Sequence, residues 1–348
     1  MFDFGSRVVK DLSESEKRDV ASLIDSCGLS FEEGAERTVL VEDSDGGLAA
    51  TASLFGNVIR MVAVSSDHQE AGLSAVAISC LLTVARAGGQ SHLFVFTKPE
   101  MAGRFASLGF RNIAETPGVS LLEIGEPGAA AYRKYLAGFR AALGNDASRR
   151  GAVVVNCNPF TLGHRFLIER ALERCDVLYV IVVEADMSIF SFEDRFAMVK
   201  SGTANLNVAG AADRLAVIGS GEYAVSSATF PTYFLKERAP LLVAEQQARL
   251  DVNLFLRLFV PSLGVKARFV GTEPLSELTA VYNRTMREAL PPGGVEVVEV
   301  ERAVTPKGDV ISASEARAKL SSGEVNDIGD YLPDSTIKYL REKLSYSL

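Results

Sequence analysis

The sequence predicts an α/β chain in two domains: a mixed α+β domain, then a domain whose parallel sheet carries helices on both faces. Three observations predict it. In the second half, apolar runs of strand length alternate with stretches of helical periodicity. Within that half, residues 152–183 read as strand, helix and strand, a βαβ unit. In the first half the order is instead hairpin, strand, loop, helix and strand. At 348 residues there is enough chain for two cores. The small, polar and charged stretch 144–151 is the clearest linker, which sets the domains at 1–144 and 151–348.

The βαβ unit organises the second half. Its first strand is 152–156, and its second, 177–183, is apolar throughout. Between them, Leu167, Ile168, Ala171 and Leu172 fall on one helical face, with Arg165, Glu169 and Glu173 on another. The loop 157–164 therefore lies at the C-terminal end of a parallel strand and at a helix N-terminus, where ligands bind in open α/β sheets. Unpaired N–H groups and the helix dipole favour an anion there. Pro159 stiffens the turn, and Gly163 lets the backbone approach a ligand. His164 is placed to donate a hydrogen bond to phosphate. Asn156 ends the strand and Asn158 and Phe160 stand in the loop; all three are taken as nucleotide contacts, with shaping of the turn the other role open to Asn158.

Composition narrows the classes of function. The chain is 47% hydrophobic and 23% charged, as expected of a soluble globular protein. A formal net charge of −8 argues against a broad nucleic-acid surface. The first residues carry charges where a secretory signal needs an apolar core, and no apolar run reaches bilayer length. Four scattered cysteines and three dispersed histidines give no metal-ligand spacing. A reduced, cytoplasmic setting is expected, with neither nucleic acid nor membrane as partner.

Taken in order, the first half begins with a helix over 13–27, capped by Ser13 with Glu16 completing a capping box. A hairpin at 38–54 turns on Gly46-Gly47, and a third strand spans 58–64. After the loop 65–72, an apolar helix runs from 73 to 87 and stops at Gly88-Gly89. A strand at 92–97, a short helix near 101–108 and a strand pair through Ile124 follow, then a helix over 129–143. This order resembles the acetyl-CoA-dependent N-acetyltransferase fold. In that fold a Gln/Arg-x-x-Gly-x-Gly/Ala loop cradles the CoA pyrophosphate. The corresponding residues here are Gln69, Gly72 and Ser74; Ser74 departs from the pattern, and Glu70 adds a negative charge.

The second half continues with a helix at 192–200, a strand at 215–220 and a long helix at 243–259. Arg195, on the Glu-Asp-Arg start of its helix, could reach phosphate or acetate, but a solvated face is the default expectation. A strand at 267–270 ends in Gly271-Thr272-Glu273-Pro274, putting Gly271 and Glu273 at the ligand-binding edge. A helix at 278–290 and a strand at 295–300 come next. Finally Ile311-Ser312-Ala313-Ser314-Glu315-Ala316-Arg317 opens a helix, with Ser314 as its N-cap. Ser312, Ser314 and Arg317 suit the β- and γ-phosphate oxygens of a nucleotide.

Thr161-Leu162-Gly163-His164 resembles the His-x-Gly-His signature of the nucleotidylyltransferase superfamily, which implies a Rossmann-like domain. The wider set is similar to the citrate lyase ligase family. It comprises residues 155–164, Tyr223 with 228–231, 269–274, Thr279 with Tyr282, Asn283 and Met286, and 311–314. That family carries Thr at the first position of the signature and has an acetyltransferase-like domain in front. The resemblance implies that ATP and acetate give acetyl-AMP and pyrophosphate. The acetyl group then passes to the thiol of the phosphoribosyl-dephospho-CoA group on the acyl carrier protein (γ subunit) of citrate lyase. It further implies that Thr161 and His164 stabilise charge at the α-phosphate, that Arg317, Ser312 and Ser314 hold the triphosphate, and that Mg²⁺ bridges its oxygens. The first domain would dock the CoA-like arm at Gln69, Gly72 and Ser74. Three alternatives stay open: another adenylyltransferase of the superfamily, the equivalent ligase for the malonate decarboxylase carrier protein, and a non-catalytic nucleotide sensor.

Overall fold

The computed structural model describes residues 4–144, 146–184, 188–224, 230, 240–272 and 277–346. The chain divides into two compact units, Met1–Ala131 with Phe230–Leu250, and Tyr132–Thr229 with Asp251–Leu348. Among the described residues no helix is long and apolar enough to cross a membrane.

The first unit holds β1 (Gly5–Val9), α1 (Glu14–Ser26), β2 (Arg37–Glu42), β3 (Leu48–Phe55), β4 (Val58–Val64), α2 (Leu73–Ala87), β5 (His92–Thr97), α3 (Pro99–Ser107), β6 (Arg111–Glu115) and β7 (Ser120–Gly125). Its sheet runs β1-β2-β3-β4-β5-β7-β6. The α1 capping box forms as expected from Ser13 and Glu16. The sequence reading misses β1, an edge strand whose first three residues are exposed and so resemble a polar leader. Strands β4 and β5 are parallel and pair only at Val58↔Phe94 and Ile59↔Val95. Beyond that point they part. Met61, in a left-handed conformation (φ 53°), lies at an irregularity in the β3–β4 register. Residues Val62, Ala63, Lys98 and Arg104 line a cavity of about 430 Å³ where the two strands have separated.

Helix α4 (Ala129–Ala142) leads to the second sheet. The second unit contains β8 (Arg150–Val155), α5 (Leu162–Leu172), β9 (Val177–Val182), α6 (Phe192–Thr203), α7 (Ala211–Arg214) and β10 (Leu215–Gly219). Helix α8 (Pro240–Leu254) passes through a π-helical turn, Phe255–Phe259, into α9 (Val260–Leu263). Then come β11 (Ala267–Gly271), α10 (Glu277–Ala289), β12 (Glu296–Val300), α11 (Ala313–Ser322) and α12 (Asp334–Leu344). All five strands are parallel, in the order β10-β9-β8-β11-β12.

That order sets the place of the site. The chain moves outward from β8 in one direction through β9 and β10, then returns to lay β11 on its other side. The topological switch point is therefore between β8 and β11. These two strands pair only at Gly151↔Ala267 and Ala152↔Arg268. Their C-terminal halves diverge and leave a crevice. Behind it, Phe160, Ile168, Leu178, Val180, Met198 and Phe269 are all at most 1% exposed and form the core against which the helices pack.

Candidate active site

A cavity of about 320 Å³ fills the crevice. Its walls come from the ends of β8 and β11, the start of α5, one face of α10, and the segments 300–303 and 311–313. Of the residues singled out from the sequence, Asn156, Thr161, Gly163, His164, Gly271 and Ser312 line it. Asn158, Pro159, Phe160, Ser314 and Arg317 do not form its wall. Glu273 lies outside the described residues.

The start of α5 is built by a capping box. Thr161 is the N-cap, so α5 begins at Leu162, three residues before Arg165 and inside the stretch 157–164 read as loop. Its hydroxyl accepts from the His164 N–H at 3.3 Å, and its own N–H donates to His164 Nδ1 at 3.0 Å. A backbone N–H can only donate, so Nδ1 is an acceptor and a neutral ring carries its proton on Nε2. Burial, reinforced by the Arg302 charge, pushes the His164 imidazole down to about 4. At neutral pH the ring is thus an uncharged, pre-oriented N–H donor. Thr161, only 1% exposed, spends its hydroxyl on this arrangement.

Two segments distant in sequence close on this loop. A Cβ at Gly163 would meet the Ile311 carbonyl oxygen at 3.0 Å, so any larger residue would push the two backbones apart by a few tenths of an ångström. Arg317 Nη1 donates to the Asn158 carbonyl at 2.6 Å, and Nη2 to Ser314 Oγ at 3.0 Å. The N-cap of α11 corrects the sequence reading. It is Ser312, whose Oγ accepts from Glu315 N–H at 3.1 Å, while Ser314 sits within the first turn. From the C-terminal side, Thr336 Oγ1 donates to the Phe160 carbonyl at 3.0 Å, and Leu162 N–H donates to the Tyr331 carbonyl at 2.8 Å.

Other residues of the loop are structural in their contacts. Phe160 is fully buried, with its ring stacked near His164 at a centroid distance of 5.9 Å. Asn158 Oδ1 accepts from Phe190 N–H at 3.2 Å. Arg195 overturns its expected solvated position: it is fully buried. Its Nη1 donates to the Asn156 and Val183 carbonyls at 2.8 and 2.7 Å and to Asn156 Oδ1 at 2.8 Å. That network holds the end of β8, and with it Asn156, at the crevice.

Two cavity residues escape the sequence reading. Arg302 follows β12 by two positions, donates from Nε to the Thr272 carbonyl at 2.7 Å and supplies part of the field on His164. A basic residue just past the C-terminal end of a parallel strand was the available signal. Arg268 sits inside β11 itself; a charge within an otherwise apolar central strand was its signal. In the first unit, Gln69 and Ser74 line the cavity between the parted strands, whereas Gly72 is the N-cap of α2, in a left-handed conformation (φ 69°).

Fold and crevice together define an α/β protein with a cavity at the switch point of a parallel sheet. The family model for the citrate lyase ligase C-terminal domain matches residues 150–340. The chain is 34% identical to the [citrate [pro-3S]-lyase] ligase of Escherichia coli, an alignment covering 99% of this chain and 96% of that one. It is 35% identical to the ligase of the same name from Klebsiella pneumoniae, over 90% and 89% of the two chains. The chain belongs to the citrate lyase ligase family. Its N-terminal region resembles solved acetyltransferase-type structures. Among them are Escherichia coli ElaA, at 16% identity and TM-score 0.31 over 36% of this chain and 99% of that one, and an acyl-CoA N-acyltransferase from Pseudomonas aeruginosa with the same identity and score, over 36% and 100%.

Proposed function

We propose that the second unit joins acetate to ATP as acetyl-AMP, and that the acetyl group is then transferred to a carrier-protein thiol. In the first step a carboxylate oxygen attacks the α-phosphorus while the bond to the β-phosphate oxygen breaks, releasing pyrophosphate. In the second, the thiol sulfur attacks the acyl carbon, its proton passes to solvent, and AMP leaves. The acceptor is the phosphoribosyl-dephospho-CoA thiol on the citrate lyase acyl carrier protein, in keeping with the names carried by the relatives. The observation that carries the reading is the approach of Ile311 to Gly163, which puts the Ser312 helix start beside the His164 loop over one cavity.

In this reading His164 Nε2–H donates to the α-phosphate as negative charge grows, and its neutral state matches a donor rather than a proton shuttle. Thr161 positions that ring. Arg302 and the two helix starts face the triphosphate, and Arg317 braces the loop through the Asn158 carbonyl. Among the described residues no cluster of three or more acidic, histidine or cysteine side chains is placed to hold a metal ion, so Mg²⁺ would arrive with the ATP phosphates and would offset charge on the leaving pyrophosphate. In the first unit, the cavity beside Gln69 and Ser74 is proposed to receive the CoA-like arm.

Exchange of labelled pyrophosphate into ATP tests the first step. Exchange that requires acetate supports it. Exchange without acetate points to another adenylyltransferase, and no exchange points to a nucleotide sensor. Acetylation of purified carrier proteins, from citrate lyase against malonate decarboxylase, tests the acceptor. A Gln69→Ala, Ser74→Leu double variant of the full chain is expected to keep pyrophosphate exchange and lose carrier acetylation. Equal acetylation by variant and wild type would remove the docking role.

A further inference from the structure

The floor of the crevice is a buried cation. Arg268 stands opposite Ala152, at the last rung where β11 still pairs with β8. It is 3% exposed, and its guanidinium carbon lies 4.5 Å from the centre of the Phe255 ring and 5.8 Å from that of Tyr282. The π-helical turn that starts at Phe255 thus supplies one of the two rings. Nη2 donates to the Tyr282 hydroxyl at 3.1 Å and lies 3.9 Å from Asp251 Oδ2. The Tyr282 hydroxyl donates in turn to Asp251. Nε and Nη1 are buried with no hydrogen-bond partner among the described residues.

An arginine stays charged at any accessible pH, and a desolvated guanidinium lacking acceptors is unfavourable. One edge of Arg268 is held and the rest is not. The same residue borders the cavity, together with Tyr282, Asn283 and Met286 of α10 and Phe269 of β11. Asn283 is fixed there by its bond to the Gly271 carbonyl at 3.1 Å. The helix starts that suit phosphate lie past the C-terminal ends of the strands, whereas Arg268 lies where the strands begin to part. One site thus offers two separate places for anions.

We infer that Arg268 anchors the carboxylate of the acyl substrate, a short monocarboxylate whose alkyl end faces Met286 and Phe269. The inference rests on the adenylation reading above. One carboxylate oxygen accepts from the guanidinium, and the other is left to face the α-phosphate. The apolar neighbours disfavour a second charge on the substrate, because an unpaired carboxylate there would be desolvated. Of the nearby acidic groups, Asp251 is engaged with Tyr282, and Glu301, which borders the cavity just past the C-terminal end of β12, is exposed.

The test uses full-length Arg268→Met and Tyr282→Phe proteins. Three quantities are read: the acetate KM in pyrophosphate exchange, the affinity for a fluorescent ATP analogue, and the melting temperature. Arg268→Met is expected to raise the acetate KM at least tenfold and leave analogue affinity within twofold. Tyr282→Phe keeps the ring and frees Nη2, and is expected to raise the acetate KM threefold or more. An unchanged acetate KM in folded Arg268→Met, or an equal loss of analogue binding, overturns the assignment. If Arg268→Met does not fold, Tyr282→Phe decides alone, and an unchanged KM overturns it. If wild-type protein shows no acetate-dependent exchange, the adenylation reading fails. Line broadening of ¹³C-acetate by wild type and by Tyr282→Phe then decides separately. Weaker broadening by the variant supports the anion site, and equal broadening overturns it.

Discussion

His164 shows how much a single capping contact can fix. The Thr161 N–H occupies Nδ1, so the proton of the neutral ring must sit on Nε2, and burial with the Arg302 charge keeps the ring from protonating until about pH 4. The effect on stability has a definite sign. In the unfolded chain this imidazole takes up a proton near pH 6.5, whereas the folded chain does not until about 4. Folding therefore weakens as the pH falls from 6.5 towards 4, by at most about 1.4 kcal/mol per pH unit. Urea denaturation at pH 7 and pH 5 should show a larger loss for the wild type than for His164→Gln. Replacing Arg302 with Ala should move the imidazole back up towards 6.5, read from the His164 ring resonances in an NMR titration. A value still near 4 would leave burial as the whole cause.

Between elements, small changes of register decide which side chain does what. Ser312 rather than Ser314 caps α11, so Ser312→Ala should cost about 1 kcal/mol, and Ser314→Ala a few tenths, in thermal unfolding. Helix α6 rests on the site loop through Gly202, where a Cβ would lie 2.3 Å from the Phe160 ring. Gly202→Ala should therefore destabilise the fold by about 1–3 kcal/mol and disturb the loop carrying His164. The βαβ unit was legible because its apolar runs and helical face repeat over many residues, and Ser13 with Glu16 is a complete local signal. Pairings across great sequence distance were not. Nothing near Gly163 announces that Ile311 must pass within van der Waals reach. Arg195 reads as surface because the Glu193-Asp194 start is polar, while its acceptors are the Asn156, Val183 and Phe190 carbonyls, contributed by separate segments. The part of the site built by Arg302 and Arg268 depends on where strands end and diverge, which periodicity does not encode.

At the scale of the molecule, the two compact units are interleaved along the chain. Phe230 and the described residues 240–250 return to the first unit after the second has begun, and Tyr132 onwards, within α4, belongs to the second. Cutting the backbone near residue 144 cannot then release a self-sufficient half. A specific protease site placed after Gly144 should yield two fragments that co-elute on native size exclusion and separate only in denaturant. Fragments that separate in native buffer would show that residues 230–250 are dispensable to the first unit.

The brief contact between β8 and β11 has a consequence for attempts to stabilise this enzyme. Each further rung of pairing would add backbone hydrogen bonds and shut the crevice by the same motion. Substitutions selected there for heat resistance alone would zip the sheet and narrow the cavity proposed to hold ATP, so if that proposal holds, thermal hardening and turnover pull against each other along this seam.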